Sequence, residues 1–197
     1  MPKISKVEEN KTRLLDAGVL LFSQRGYHGV GLKELLAQVN VPKGSFYNYF
    51  ESKEDFAVQA ISYYGDSFIS MLIKETQLDG RTAVRRFEAV FDLLIKVFEH
   101  KNYTDGCLVA DMATEIGDVS EICRHTLAKT LDKFSQCFAG IMAQGQADGS
   151  IRTDITVEDL AAFTLDAWEG ALIRMRLKKD KAPLLQSKRL ILQYIAG

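Results

Sequence analysis

Two stretches of the chain carry residues whose types and spacing could do chemistry. The first is Lys43-Gly44-Ser45-Phe46-Tyr47-Asn48-Tyr49-Phe50. Lys43, Gly44 and Ser45 form a cationic, small, donor-rich end, and Tyr47, Asn48 and Tyr49 add groups able to meet phosphates and base edges in a DNA major groove. Lys33 before this stretch and Lys53 after it supply further cations for phosphate. The second stretch is Gly106-Cys107-Leu108-Val109, which places a thiol at or near a helix N-terminus. There the helix dipole and unbonded N–H groups favour the thiolate. Cys123 and Cys137 fall within helical patterns and lack that setting. A small buried hydrophobe is the plainer reading of Cys107, as for most free cysteines.

Other chemistry has less to stand on. His28, His100 and His125 share no metal-ligand spacing with one another or with the cysteines, so no metal site is expected. Neither a glycine-rich phosphate loop nor a paired-carboxylate pattern occurs, and no cofactor is expected. A cysteine-dependent enzyme would need a base within reach of Cys107, which no motif places, and would leave residues 43–53 unexplained. Phe134, Phe138, Met142, Phe163 and Trp168 could line an apolar ligand pocket, or could be plain core at helical spacing. Asp111, Glu115, Arg174 and Arg176 read as solvated or paired surface charges.

The elements that must position these residues are helices. Leu32, Leu35, Leu36 and Val39 repeat at helical spacing, with Asn40 able to close the helix in a left-handed conformation. A second short helix follows within residues 41–53, with Pro42 suited to its first position and Phe46 and Phe50 as its two apolar anchors. So short a helix must dock on a larger module. The pair reads as a helix-turn-helix or as an αα-hairpin inside a helical core.

Before the pair, residues 7–25 form a helix with Leu14, Leu15, Gly18, Leu21 and Phe22 on one face, stopped by Gly26 and preceded by a loose basic arm with Lys3 and Lys6. After it, Ser52 and Asp55 resemble a capping box that opens a long helix through Phe56, Tyr64, Phe68 and Leu72. Asp79-Gly80 breaks the chain. An apolar helix then runs to about residue 100, a shorter one from Cys107 to about Ile116, and a long core helix through Leu127, Leu131, Phe134, Phe138 and Ile141 to about Gln146. The last two run from about Val157 to Lys178 and from about Pro183 to Ile195. The former is apolar on more than one side, as for a helix that is buried or pairs with another subunit. No strand pattern appears, so the expected fold is all-α with about nine helices.

Residues 11–56, from Lys11-Thr12-Arg13-Leu14-Leu15-Asp16-Ala17 through Phe22-Ser23-Gln24-Arg25-Gly26-Tyr27 to the 43–50 stretch and Ser52-Lys53-Glu54, resemble the DNA-binding domain of TetR-family repressors. Gly31 departs from the family pattern, which often has a capping Thr or Ser there. The resemblance implies a helix-turn-helix domain over 1–53, an effector-binding and dimerisation domain over 54–197, dimerisation through the last two helices and a palindromic operator. Gly106-Cys107-Leu108-Val109, Glu115-Ile116-Gly117-Asp118 and Trp168-Glu169-Gly170-Ala171-Leu172 resemble the subgroup that holds the electrophile-sensing NemR type and the acrylate-responsive AcuR type. On the NemR side the resemblance implies that Cys107 is a redox sensor working with a lysine on the penultimate helix, a position held here by Arg176 unless Lys178 substitutes; on the AcuR side it implies a small unsaturated acid or its thioester as effector. A multidrug-type sensor without thiol chemistry is the alternative within the class.

Composition is compatible with this. Of 197 residues 47% are hydrophobic and 26% charged, as in ordinary globular proteins. The net charge of −1 hides an asymmetry: residues 1–53 hold an excess of lysine and arginine, and the remainder is net acidic. The absence of a long apolar run excludes a membrane-spanning helix, and three irregularly spaced cysteines fit a reducing cytoplasm. The N-terminus lacks the apolar core of a signal peptide.

Overall fold

The computed structural model describes residues 6–39, 41–76 and 80–197, without the side chains of Lys6 and Lys43. The expected roles of Lys3, Asn40 and Asp79, and of the Lys6 and Lys43 side chains, lie outside what is described. Nine α-helices occur among the described residues: α1 Lys6–Arg25, α2 Leu32–Val39, α3 Lys43–Phe46, α4 Lys53–Thr76, α5 Ala83–His100, α6 Leu108–Ile116, α7 Glu121–Asp148, α8 Val157–Lys178 and α9 Ala182–Ile195. These residues form no strand; one isolated antiparallel bridge joins Ile151 to Ala196. The fold is all-α, as the periodicities require.

The helices gather into two compact units, bounded as Met1–Gly65 with Leu108–Thr130, and Asp66–Cys107 with Leu131–Gly197. Both α4 and α7 contribute a segment to each unit. This division by packing is a different matter from the division of roles expected at 53/54.

In the first unit α1 meets α2 and α6, and an aromatic cluster forms its centre. Phe50 lies 5.0 Å from Phe46 and 4.8 Å from Phe56, and Phe22 lies 5.7 Å from Phe56, ring to ring. All four are at most 1% exposed. Gly18 lets α1 approach this cluster, because a Cβ there would sit 2.3 Å from the Phe56 ring. The start of α4 follows the expected capping pattern with one change. Ser52 Oγ accepts from the Asp55 N–H at 3.0 Å, but the Asp55 carboxylate reaches back to the Glu51 N–H, one residue before the usual partner.

In the second unit, Phe87, Phe91 and Leu94 of α5 are buried and α9 packs against both α5 and α8. Thr156 caps α8 by accepting from the Asp159 N–H at 3.1 Å. Lys188 of α9 pairs with Asp92 of α5 at 2.6 Å. The N-terminus of α5 is capped from a distance, with Asp148 accepting from the Ala83 N–H at 2.9 Å. Hydrogen bonding from Ser150, then the bond from Ala83 and the nearby Arg86 charge, hold the Asp148 carboxyl below its ordinary pKa.

Candidate nucleic-acid interface and effector site

The first candidate site is built on α3. Pro42 is the N-cap residue with extended backbone (φ −60°, ψ 144°), one position earlier than its expected place inside the helix. The helix itself is short, Lys43–Phe46, where the sequence reading allowed it to run further. Beyond Phe46 the bonds tighten to three-residue spacing, Asn48 N–H to Ser45 and Tyr49 N–H to Phe46, before the Phe50 N–H returns to the Phe46 carbonyl at 3.0 Å. Phe46 and Phe50 therefore both point inward, and the residues between them are turned out. Tyr47 is 54% exposed, Gly44 and Asn48 are exposed, and Ser45 and Tyr49 are half-buried. Lys33 on α2 is also exposed.

Two other cations of this unit hold the module together. Arg13 Nη2 donates to the Val39 carbonyl at 2.9 Å, at the negative end of α2. Lys53 lies half-buried, its Nζ donating to the Tyr27 carbonyl at 2.7 Å and standing 4.2 Å from the centre of the Tyr27 ring. Burial pulls the Lys53 pKa down, opposed by the charge of Glu115. Two of its three N–H donors are still open to a phosphate. The turn that presents Tyr27 needs Gly26, which has φ +69° and lies so close to Glu115 that a Cβ would come within 1.9 Å of its carboxylate. That carboxylate also accepts from the His28 N–H at 3.3 Å.

The second candidate centres on Cys107. It sits immediately before Leu108, the first residue of α6, and is 7% exposed. The loop leading to it carries two consecutive non-glycine residues with positive φ, Asn102 (52°) and Tyr103 (56°). It is held by a Lys101–Asp105 ion pair at 2.9 Å with Asp105 buried, and by Lys179 Nζ donating to the Tyr103 carbonyl at 3.4 Å. None of the three cysteines is in a disulfide.

Cys123 differs from expectation. It is the third residue of α7, so it too lies in a first helical turn, with its N–H donating to Ser120 Oγ at 3.2 Å. Burial nevertheless pushes its thiol pKa up, and the nearby Glu54 charge adds to this against the Ser120 hydrogen bond. Desolvation outweighs the helix terminus there.

Of the residues that could line a pocket or be core, four are buried. Phe134 is 2%, Phe138 1%, Met142 0% and Trp168 4% exposed. Each aromatic ring meets a different partner: Phe134 on Phe68 at 4.7 Å, Phe138 on Phe87 at 5.5 Å and Trp168 on Phe91 at 4.8 Å. Phe163 is 43% exposed and stacks on Tyr194 at 4.4 Å. A cleft of about 680 Å³ does open in this unit, but along the other face of α7, beside Lys133, Cys137, Gly140 and Ile141, with Ile69 and Ile73 of α4 opposite and Arg86 of α5 at one end. A mid-helix glycine was the signal for it. Arg176 is half-buried in the last turn of α8.

Among the described residues no group of three or more His, Cys, Asp or Glu side chains could hold a metal ion. No described helix is long and apolar enough to cross a membrane.

A buried aromatic platform that turns a short polar helix outward, after a second short helix, defines a helix-turn-helix DNA-binding protein. Comparison with known proteins places it more closely. Residues 14–60 match the family model "Bacterial regulatory proteins, tetR family", and residues 83–191 match "Tetracyclin repressor-like, C-terminal domain". The chain belongs to the tetR family of transcriptional regulators, whose matched members are not enzymes. It is 33% identical to the HTH-type transcriptional repressor DhaR of Mycobacterium sp. (strain GP1), covering 89% of this chain and 87% of that one. It is 31% identical to the transcriptional regulator AcuR of Cereibacter sphaeroides over 87% of this chain and 78% of that protein. The crystal structure of E. coli NemR in its reduced form superposes with a TM-score of 0.85 at 27% identity, covering 95% and 98% of the two chains.

Proposed function

We propose that this chain is a cytoplasmic, homodimeric transcriptional repressor that binds a palindromic operator through residues 1–53 and answers a chemical signal through residues 54–197. The observation that carries the reading is the platform under α3: Phe46 and Phe50 are buried, so Gly44, Tyr47 and Asn48 face outward. Lys33, Lys43, Gly44, Ser45, Tyr47, Asn48, Tyr49 and Lys53 are the residues assigned to DNA, with lysines on phosphates and Tyr47 and Asn48 nearest base edges.

Dimerisation through α8 and α9 is supported by their exposed apolar residues. Phe163, Ile173 and Leu177 on α8 and Leu185, Leu190 and Tyr194 on α9 are all more than a third exposed. Large apolar surface of this kind marks association sites. A two-fold dimer would present two α3 helices to successive major-groove faces of one operator.

Release from DNA is assigned to a small effector or to modification of Cys107. Its place directly before α6 and the resemblance to NemR-type regulators support the thiol reading, with Arg176 as the cation that would stabilise a thiolate. Arginine cannot form the covalent bond to an oxidised sulfur that a lysine can, so the Arg176 role is electrostatic. An effector acts only as far as it prefers the non-binding conformation, and that preference sets the loss of operator affinity. Membership of α4 and α7 in both compact units supports their role as the connection.

The test is operator binding by fluorescence anisotropy, on DNA upstream of the chain's own gene, with and without N-ethylmaleimide, hypochlorite and acrylate. Release by the alkylator or oxidant in wild type but not in Cys107→Ser is the expected result. Release in both proteins would remove Cys107 from the mechanism and leave a reversible ligand site.

A further inference from the structure

We infer that the cleft between α4 and α7 is the effector site and that it takes an amphipathic monoanion, such as a medium-chain aliphatic carboxylate, with the anionic head on Arg86. The inference rests on the repressor reading above for what binding achieves, but not for the binding itself.

The cleft's shape comes first. Its α7 wall runs from Lys133 to Gln144, about 16 Å along a helix axis. Gly140 lies mid-wall with open space where a side chain would be. A glycine inside a helix is less stable there than alanine, and here it leaves room along the cleft. Ile69 and Ile73 of α4 and Ile141 of α7 give the trough apolar sides, and Ile73 is 43% exposed. A volume of about 680 Å³ is that of a small-molecule site.

Charge then fixes the ligand's polarity. At one end Lys133 is already neutralised by Asp66 at 2.7 Å. At the other end the hydrogen bonds of Arg86 go to neutral acceptors, Nη1 to Gln144 Oε1 at 2.6 Å and Nε to the Arg81 carbonyl at 3.2 Å, and the charge of Asp148 is felt only from beyond ion-pair distance. Among the described residues no carboxylate lies within ion-pair distance of Arg86, and three of its five N–H groups are unused. A guanidinium with spare donors at the end of an apolar trough suits a planar carboxylate, which it can hold by two parallel hydrogen bonds. A cationic amphiphile would meet that guanidinium as a like charge.

Cys137 lines the same cleft. Burial raises its thiol pKa, so it offers a soft apolar wall rather than a nucleophile. This site therefore binds reversibly and is chemically separate from Cys107.

The experiment is titration calorimetry of the full-length protein, without DNA, using decanoate, decanol and decylammonium below their micelle concentrations. Decanoate is expected to bind at least tenfold more tightly than decylammonium. Arg86→Leu should cost decanoate about tenfold and leave decanol unchanged, since it removes only the head-group contact. Gly140→Leu fills open space with a better helix former and should abolish binding of both while leaving the melting temperature intact. No decanoate binding, equal losses for decanoate and decanol in Arg86→Leu, or unaltered binding in Gly140→Leu would each overturn the site. A parallel anisotropy titration should show decanoate releasing operator from wild type but not from Gly140→Leu; binding without release would overturn the effector role. Failure of the ligand-free protein to bind operator would count against the repressor reading alone, because the calorimetry contains no DNA.

Discussion

The residues that stand out in the first unit and those that stand out in the second come from opposite patterns, and the structure exposes the first and buries the second. Around α3, Tyr47 and Asn48 lie outside the apolar periodicity and are exposed on a buried phenylalanine platform. In the second unit, Phe134, Phe138 and Trp168 lie on the periodicity and are closed core, while the open cleft borders the other face of α7. A surface that reads DNA needs side chains projecting outward, so it appears as polar and aromatic residues that packing does not explain. A small-molecule site is a concavity between helices, and its lining follows the same spacing as any core.

That contrast can be broken from its strong end downward. Phe138→Ala removes a ring that is 1% exposed and sits 5.5 Å from Phe87; it should cost about 3–5 kcal/mol in thermal or denaturant unfolding. A variant of ordinary stability that lost only its effector response would mean that the ring lines a ligand site after all. Lys53→Met keeps the aliphatic stem and removes the donor to Tyr27; a loss of about 1 kcal/mol is expected, since the pair is half-exposed. If stability is untouched and only DNA affinity falls, Lys53 belongs wholly to the interface.

A smaller effect should appear only in alkali. The Tyr63 hydroxyl donates to the Asp16 carboxylate at 2.7 Å, and this bond, with lesser help from burial, pushes its pKa up to about 12. In the unfolded chain Tyr63 ionises near its ordinary value of 10.0. The folded state therefore holds the proton longer, so the contribution is whole below that value and drains away as pH rises toward 12. Tyr63→Phe should flatten this part of the stability–pH curve; an unchanged slope would assign the alkaline loss to other groups. The least effect belongs to Gly31, which precedes α2 with open space beside it and its carbonyl accepting from the Glu34 and Leu35 N–H groups. Gly31→Ser should gain a few tenths of a kcal/mol as an N-cap, measurable as a small rise in melting temperature.

Sequence patterns carried most of the fold. The i, i+4 pair Phe46–Phe50 correctly named the anchors of α3, and the stripe from Leu160 to Met175 lies within α8, which spans Val157–Lys178 as read. The length of α3 was less visible, because its last turn tightens through backbone bonds that no side-chain pattern announces. The apolar repeat of α7 starts only at Leu127 and does not show that the helix begins at Glu121, which puts Cys123 in its first turn. The cleft was hidden for a different reason. It exists only where α4 meets α7, and from either helix alone Ile69, Ile73 and Ile141 look like ordinary core positions.

The central claim is that the outward end of α3 reads DNA, and one variant tests it most directly. Tyr47→Ala removes a 54% exposed side chain and should change stability by less than about 0.5 kcal/mol. Operator affinity, measured by anisotropy at fixed salt with the dimer checked by sedimentation, should fall by roughly tenfold or more. An intact Tyr47→Ala dimer that binds its operator as tightly as wild type would contradict the account.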